Sequence, residues 1–398
     1  MRRTSLRVPL KALKALPVAL VLASSLLLLL PATALADVPT TASKTWQTNG
    51  IVRAIAYAGG NVYIGGDFTS VRPPGAPLGT GEVARHHLAA FNATTGALLS
   101  FNPNANSTVF ALELSPSKTK LYAGGDFTAI GASSRAHLAA FNLPSGALDS
   151  VWKPTVTGRV KSISTFGTGA TVYVGGTFGK AGGQTRTNLA AFTSAGALLP
   201  FQATPDASVR ALIVSADGQR IVIGGGFNHV NGTARRALAI LNTAGVVQPQ
   251  QTSIPTCSEV TSFARTSTAV FLGGEGTGGG CFDGTAAINP TTGAQLWRDN
   301  CLGATQAVQV IGSWLYVGSH AHNCSSVVGG FPETGSTRVH HLMRENIANG
   351  HIDSTWFPNT SGNNLGPRSF GSDGVKLGVG GDFHFVNNKA QQGFTQFG

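Results

Sequence analysis

One short phrase recurs seven times along this 398-residue chain: an apolar run closed by a pair of glycines. It reads Val62-Tyr63-Ile64-Gly65-Gly66-Asp67-Phe68, then Leu121 to Phe127, then Val172 to Phe178 with Thr177 in the Asp place. Ile221 to Phe227, Val270 to Gly274, a degraded Leu315 to Ser319 and Leu377 to Phe383 complete the set. The first glycines stand 45 to 62 residues apart. A period of that length marks one supersecondary unit used repeatedly. Such a unit cannot hide both of its faces alone, so neighbouring copies must stack.

Each unit carries further marks at fixed places. A Leu-Ala-Ala-Phe phrase follows the glycines (Leu88 to Phe91, Leu138 to Phe141, Leu189 to Phe192), and Leu238 to Leu241 is its variant. A glycine turn comes next, at Gly96, Gly146, Gly196, Gly245 and Gly293, and then an aromatic residue, Phe101, Trp152, Phe201, Trp297 or Phe357. Eight residues later a new strand is expected, near Val109, Val160, Val209, Thr305 and Leu365. Short β-branched and aromatic runs punctuated by Gly, Asn and Asp are strands joined by tight turns. The unit therefore reads as four antiparallel strands, and seven units stacked radially make an all-β, seven-bladed β-propeller. The last unit ends at Phe394 to Phe397, in the place of a third strand, and the segment around Trp46 has no blade of its own. It is expected to complete the last blade and close the ring, which removes the open edges of an arc. An open solenoid would need polar caps, and none is seen.

Residues Met1 to Ala36 read as an export signal. Arg2, Arg3, Arg7, Lys11 and Lys14 form a basic front, an apolar run spans Pro17 to Leu30, and Ala34-Leu35-Ala36 is a small-x-small cleavage site. The run is short for a spanning helix, which needs about 20 residues. The expected mature chain, residues 37–398, is then a single propeller domain, secreted, with no membrane span. The net charge of +11 falls to about +6 once the five basic leader residues are removed. With no dense basic run or basic helical face, that charge does not point to nucleic acid.

The Gly-Gly-Asp-Phe and Leu-Ala-Ala-Phe phrases, with Arg85, Arg135, Arg186 and Arg235 in the approach to the latter, resemble those of the bacterial secreted delta-sixty-repeat propellers. Ectodomains of fungal cortical polarity markers are similar in the same phrase. The resemblance implies fold and secretion and supplies no active site.

All four cysteines fall in the two most divergent units. Cys257 and Cys301 precede a first strand; Cys281 and Cys324 follow a second strand, 24 and 23 residues on. Equivalent places at equivalent spacing favour the pairs Cys257–Cys281 and Cys301–Cys324 in an exported protein. His320, His322 and His384, with Asp382, gather in the loops of units six and seven. They form either a loop cluster able to hold Zn or Cu, or solvated histidines, and the second reading is preferred. Asp67, Asp126 and Asp382 are expected to brace turns, and the repeated arginines to anchor loops. One place near the start of the inner strand carries Arg53, Phe110, Lys161, Arg210, Thr261, Gln306 and Gly366 in turn. Arg53, Lys161 and Arg210 are expected at one height around the channel. There they form either an anion-attracting ring or cations whose stems cover apolar strand.

Nucleophile-elbow, zinc-protease, phosphate-loop and EF-hand patterns are absent from the sequence. The expected function is therefore a non-catalytic extracellular binding or scaffold module, without cofactor or catalytic residues and monomeric. Its expected partner is an extracellular glycan, a small anion or a protein. The alternatives are an extracellular enzyme acting on a polysaccharide from the channel mouth, and a structural envelope or matrix protein.

Overall fold

The computed structural model describes residues 37–299, 301, 303–321, 324, 327–331, 340–361 and 366–398, and none of these is helical. No helix among them is long and apolar enough to cross a membrane. Their strands form twelve antiparallel sheets, and seven of these repeat one pattern. In the first blade Val52–Ala58 is the inner strand, Asn61–Gly66 the second and Leu88–Asn92 the third. The inner strands of the other six are Val109–Leu114, Arg159–Thr165, Val209–Val214, Ser258–Arg265, Thr305–Ile311 and Pro367–Ser372. Each inner strand packs against the next, and the seventh against the first, so the blades close into a ring.

The paired glycines explain how tightly that ring closes. The second strand ends where the neighbouring blade begins. A Cβ placed on Gly65 would lie 2.7 Å from Val109 Cγ1, on Gly175 2.6 Å from Val209 Cγ1, and on Gly224 2.6 Å from Val260 Cγ1. Gly124, Gly273, Gly318 and Gly380 meet Val160, Thr305, Pro367 and Val52 in the same way. The second glycine faces its own blade: at Gly66, Gly125, Gly176 and Gly225 a Cβ would overlap the carbonyl oxygen just before the inner-strand valine. One glycine thus sets the distance between blades and the other the distance between strands, which is why the pair recurs.

Aromatic wedges fill the seams. Tyr63 meets Phe101 edge-on at 5.3 Å, Tyr122 meets Trp152 at 4.8 Å, Tyr173 meets Phe201 at 5.4 Å, and Tyr316 meets Trp356 at 4.9 Å. In the sixth blade the wedge is therefore buried Trp356 rather than Phe357, which is half exposed. Turns between third and outer strands are built by Asn at the strand end: Asn92 Oδ1 accepts the N–H groups of Thr94 and Thr95, and Gly96 takes the left-handed conformation, φ 70°.

Two sequence expectations need adjusting. The ring closes through Ala42–Ser43, which pairs with Gln396 and Phe397, three to four residues before Trp46. Trp46 itself is a wedge, stacked 6.3 Å from Phe91. Its place matches that of Trp152, which also follows its outer strand, Ala147–Leu148, by a few residues. The outer strand is a full ladder in blades two, five and seven. In blades one, three, four and six it shrinks to single bridges: Phe91 to Leu98, Phe192 to Leu198, Leu241 to Val247 and Glu345 to Ile352.

A second tier sits on the face where the second strands end. In blades one, two, three, four and seven the loop after the second strand folds into a small hairpin, such as Ala129–Ile130 with Ser133–Ser134. The segment preceding the same blade's inner strand pairs with it, as Gln47–Thr48 does with Ser70–Arg72 and Ala105 with Ile130. Blades five and six show no such pairing among the described residues. The two disulfides stand there instead: Cys257–Cys281, with Cα atoms 5.5 Å apart, and Cys301–Cys324, 4.6 Å apart. Each ties the approach segment to the loop of its own blade, as the spacing requires.

Candidate functional site

Every inner strand carries a bulge near its start. The register slips between Val52 and Ala54, Val109 and Ala111, Val160 and Ser162, and at the same step in the other four blades. A bulge leaves one residue unpaired and turns its side chain out of the ladder. The seven so displaced are Arg53, Phe110, Lys161, Arg210, Thr261, Gln306 and Arg368, and all seven line one channel. In the seventh blade the ring residue is thus Arg368 and not Gly366, because the inner strand starts at Pro367. The channel opens into a mouth of about 490 Å³ to which Arg159, Ser208, Gly226 and Glu259 also contribute. It lies on the face carrying the second tier and the disulfides, since inner strands start and second strands end there.

The residue two places after the first glycine forms a second ring: Asp67, Asp126, Thr177, Gly226, Glu275, His320 and Asp382. Its acids answer the cations of the first. Arg53 donates to Asp67, with Nη2 to Oδ2 at 2.6 Å, and Thr108 Oγ1 donates to the same carboxylate at 2.6 Å. Arg159 reaches back one blade to Asp126 with both Nε and Nη2. This bond is the largest influence raising the Arg159 pKa. Arg368 stands 3.7 Å from Asp382. Arg210 is held by Glu259 at 2.9 Å and by Glu275. Burial alone would raise Glu275, but the Arg210 charge and the Gln306 amide outweigh it and hold the carboxyl below its usual range. The recurring Asp is therefore an ion-pair partner at the mouth rather than only a turn brace. Phe110 lies under two guanidinium groups, 5.3 Å from Arg53 and 4.8 Å from Arg159.

Arg53, Lys161 and Arg210 line one channel, but Arg53 and Arg210 do not repel their neighbours unscreened. Lys161 differs: among the described residues no carboxylate forms an ion pair with it. Its pKa is lowered, first by burial and then by the charges of Arg210 and Arg159. Of the loop cluster, Asp382 turns inward to Arg368 and His384 is exposed. His320 lies on the second strand of blade six, Trp314–Ala321, and His322 falls outside the described residues. The repeated arginines do anchor loops. Arg85 donates to the Leu99 carbonyl at 2.9 Å, Arg135 to Asp149 O at 3.0 Å and Arg235 to Gln248 O at 3.1 Å. Glu275 and Arg368 escaped sequence reading. The signal for Glu275 was present, since it fills the Asp place of Gly-Gly-Asp-Phe.

A buried acid pair lies between blades five and six, away from the mouth. Glu345 and Asp299 are both buried; Glu345 accepts the Thr285 hydroxyl at 2.6 Å, and Asp299 Oδ1 accepts the Cys301 N–H at 2.8 Å. Burial pushes Glu345 well above the carboxylate range, and the Asp299 charge adds to it. Burial likewise pushes Asp299 up to about 6. The fold therefore favours the protonated acid. That contribution is intact at low pH and is lost as pH climbs from 3.8 to about 6. Asp299→Asn keeps the acceptor for Cys301 and removes the ionisation. It is expected to stabilise the protein at pH 7.5 by about 3 kcal/mol and to flatten the decline above pH 4. Denaturant titration of both proteins from pH 4 to 8 measures this; parallel pH curves would refute it.

No protein-family model matches the chain, and no curated protein matches it in sequence. Solved structures do. A chain of the mitotic checkpoint complex superposes with a TM-score of 0.59 over 91% of this chain and 96% of its own, at 14% identity. The fold is a β-propeller. The structure of U3-55K gives a TM-score of 0.56 at 10% identity, covering 89% of this chain and 99% of its own. The RRP9 WD40 repeats give 0.55 at 10%, covering 91% and 99%. At these identities the propeller architecture is shared, and the site is this chain's own.

Proposed function

We propose that this protein is an exported, non-catalytic binding or scaffold propeller that takes its ligand at the mouth of the central channel. One observation carries the reading: seven bulges aim seven side chains, four of them cationic, into a single polar cavity. Isolated bulges would be incidental; the same bulge in every blade builds a rigid, pre-formed site. The carboxylates around that cavity are engaged by guanidinium groups. They act as fixed charges that position a ligand rather than as proton donors. Export is supported by the leader pattern ending at Ala36, by the resemblance to secreted delta-sixty-repeat proteins, and by two cysteine pairs at disulfide distance. Against that background the ligand is an extracellular anion or anionic glycan.

The experiment is a thermal-shift screen of acidic and neutral sugars and small anions on the parent and on Ala207→Trp. Ala207 lines the mouth, and an indole there fills it. A ligand that raises Tm of the parent but not of Ala207→Trp supports the reading. A ligand equally effective on both binds elsewhere and overturns it. Sequencing the N-terminus of secreted material should return Asp37.

A further inference from the structure

We infer that the mouth holds a carboxylate-bearing, hydroxyl-rich ligand of the sugar-acid type, with its carboxylate on Lys161 in the sector between blades three and four. This rests on the reading of the mouth as the binding face. The argument begins with charge balance. Four of the cations lining the mouth have carboxylates within 4 Å: Arg53, Arg159, Arg210 and Arg368. Lys161 alone among the described mouth cations has none. The reason lies in the second ring. Its acids are interrupted singly at blade six by His320, and at two successive blades where Thr177 and Gly226 stand in the Asp place. Lys161 belongs to the first of those blades and projects beneath the gap. Glu259 fills the Gly226 side of that gap, which leaves the Thr177 side, in the blade of Lys161, without an acid. Glu259 comes from blade five and spends its carboxylate on Arg210, and a Cβ on Gly226 would lie 2.6 Å from Glu259 Oε1.

Glu259 and Asp126 offset part of the repulsion from Arg210 and Arg159, but neither pairs with the half-buried Lys161 ammonium, and its desolvation is left uncompensated. A ligand carboxylate placed in the gap removes that penalty and gains a charge-assisted hydrogen bond. The remaining surface of the sector is hydroxylic: Thr177 Oγ1 bonds to Ser208 Oγ at 3.0 Å, and Ser208 lines the cavity. The mouth's aromatic ring, Phe110, is covered by Arg53 and Arg159, so it offers no stacking platform to a neutral sugar. A cavity of about 490 Å³ suits a small molecule of this kind.

The test is calorimetric titration of the purified protein with glucuronate, glucose and sulfate. The proteins are the parent, Lys161→Gln, the mouth-filling Ala207→Trp, and Lys180→Gln, an exposed change of equal charge. Glucuronate is expected to bind the parent at least tenfold more tightly than glucose or sulfate, with affinity falling as salt rises. Lys161→Gln should lose at least tenfold in glucuronate affinity, while Lys180→Gln stays within twofold of the parent. The ligand-free Tm of Lys161→Gln should equal or exceed that of the parent, since relieving repulsion does not unfold the ring.

The inference is overturned if Lys161→Gln binds glucuronate within twofold of the parent, or if glucose or sulfate binds as well as glucuronate. If glucuronate fails while another ligand binds in an Ala207→Trp-sensitive way, the mouth remains the binding face and only the sugar-acid assignment falls. If binding of every ligand survives Ala207→Trp, the mouth reading itself falls.

Discussion

Replacing all four cysteines by alanine is expected to cost about 6 kcal/mol of stability, half from each bridge. The bridges close loops of 24 and 23 residues, and the restriction each places on the unfolded chain is worth about 3 kcal/mol. The pairs share no residue, so their effects should nearly add. The structural loss should be local. Five blades hold the approach segment of the inner strand to the loop above it by backbone pairing, and blades five and six do so through sulfur. Without the bridges, blade five keeps, among the described residues, only the Thr277 N–H to Cys257 carbonyl bond and the Phe282 N–H to Ser258 Oγ bond between these segments, not a paired hairpin. Hydrogen exchange should therefore accelerate at the start of Ser258–Arg265 and Thr305–Ile311, while Val52–Ala58 and Val109–Leu114 keep their protection. Glu259 and Glu275 sit beside the first bridge and clamp Arg210, so the mouth should loosen there as well. Denaturant titration of the parent against the four-alanine variant gives the magnitude. A loss below about 2 kcal/mol, or exchange rising evenly through all blades, would show that the bridges do not replace the second tier.

The fold was legible because its main constraint is written in residue types. Only glycine fits where Gly65, Gly124 and Gly175 meet the next blade, so the first glycine of the pair is present in every unit even where the second, or Asp-Phe, is not. The cysteines could be paired because both bridges occupy one repeat place. The limits are equally specific. A count of eight residues from the wedge aromatic locates four inner strands after the first, but in the last approach the wedge is Trp356 rather than its neighbour Phe357, and the strand begins eleven residues on, at Pro367. Burial of Trp356, with its indole N–H donating to the Val38 carbonyl at 2.8 Å, distinguishes them. The approach to the last inner strand is also longer: Ala105, paired with Ile130, stands four residues before Val109, whereas Thr360, paired in the same way with Val386, stands seven before Pro367, which brings Arg368 into the ring. In blade five the aromatic of Gly-Gly-Asp-Phe is supplied from another place. Phe282 is buried, and its ring sits where a Cβ on Gly274 would be. The ion pairs were the least legible part. Arg159 to Asp126 and Arg210 to Glu275 both cross from one blade to another, and the repeat period fixes which residues share a ring but not which of them reach across it.

Gly175→Val is expected to destabilise the protein by at least about 4 kcal/mol, whereas Gly179→Ala, four residues along the same blade, should stay within about 0.5 kcal/mol. Neither glycine has a positive φ, so backbone strain does not separate them. The difference is space. A Cβ on Gly175 would stand 2.6 Å from Val209 Cγ1, 2.7 Å from Ser162 Oγ and 2.9 Å from Leu212 Cδ2, while a Cβ on Gly179 meets nothing within 4 Å. Val209 is fully buried and lies on the inner strand of the next blade, so it cannot yield without moving that strand. Packed interiors resist such insertion, and an overfilled contact between blades propagates into a ring that has to close. The smaller change Gly175→Ala should cost about 3 kcal/mol by the same contact. Combining it with Val209→Ala, which alone costs about 2 kcal/mol, should give a double variant more stable than the sum of the two losses by at least about 1 kcal/mol. That coupling is the deciding measurement. If the losses simply add, Gly175 is conserved in every unit for some reason other than contact with the neighbouring blade, and the glycine pair does not set the spacing of the ring.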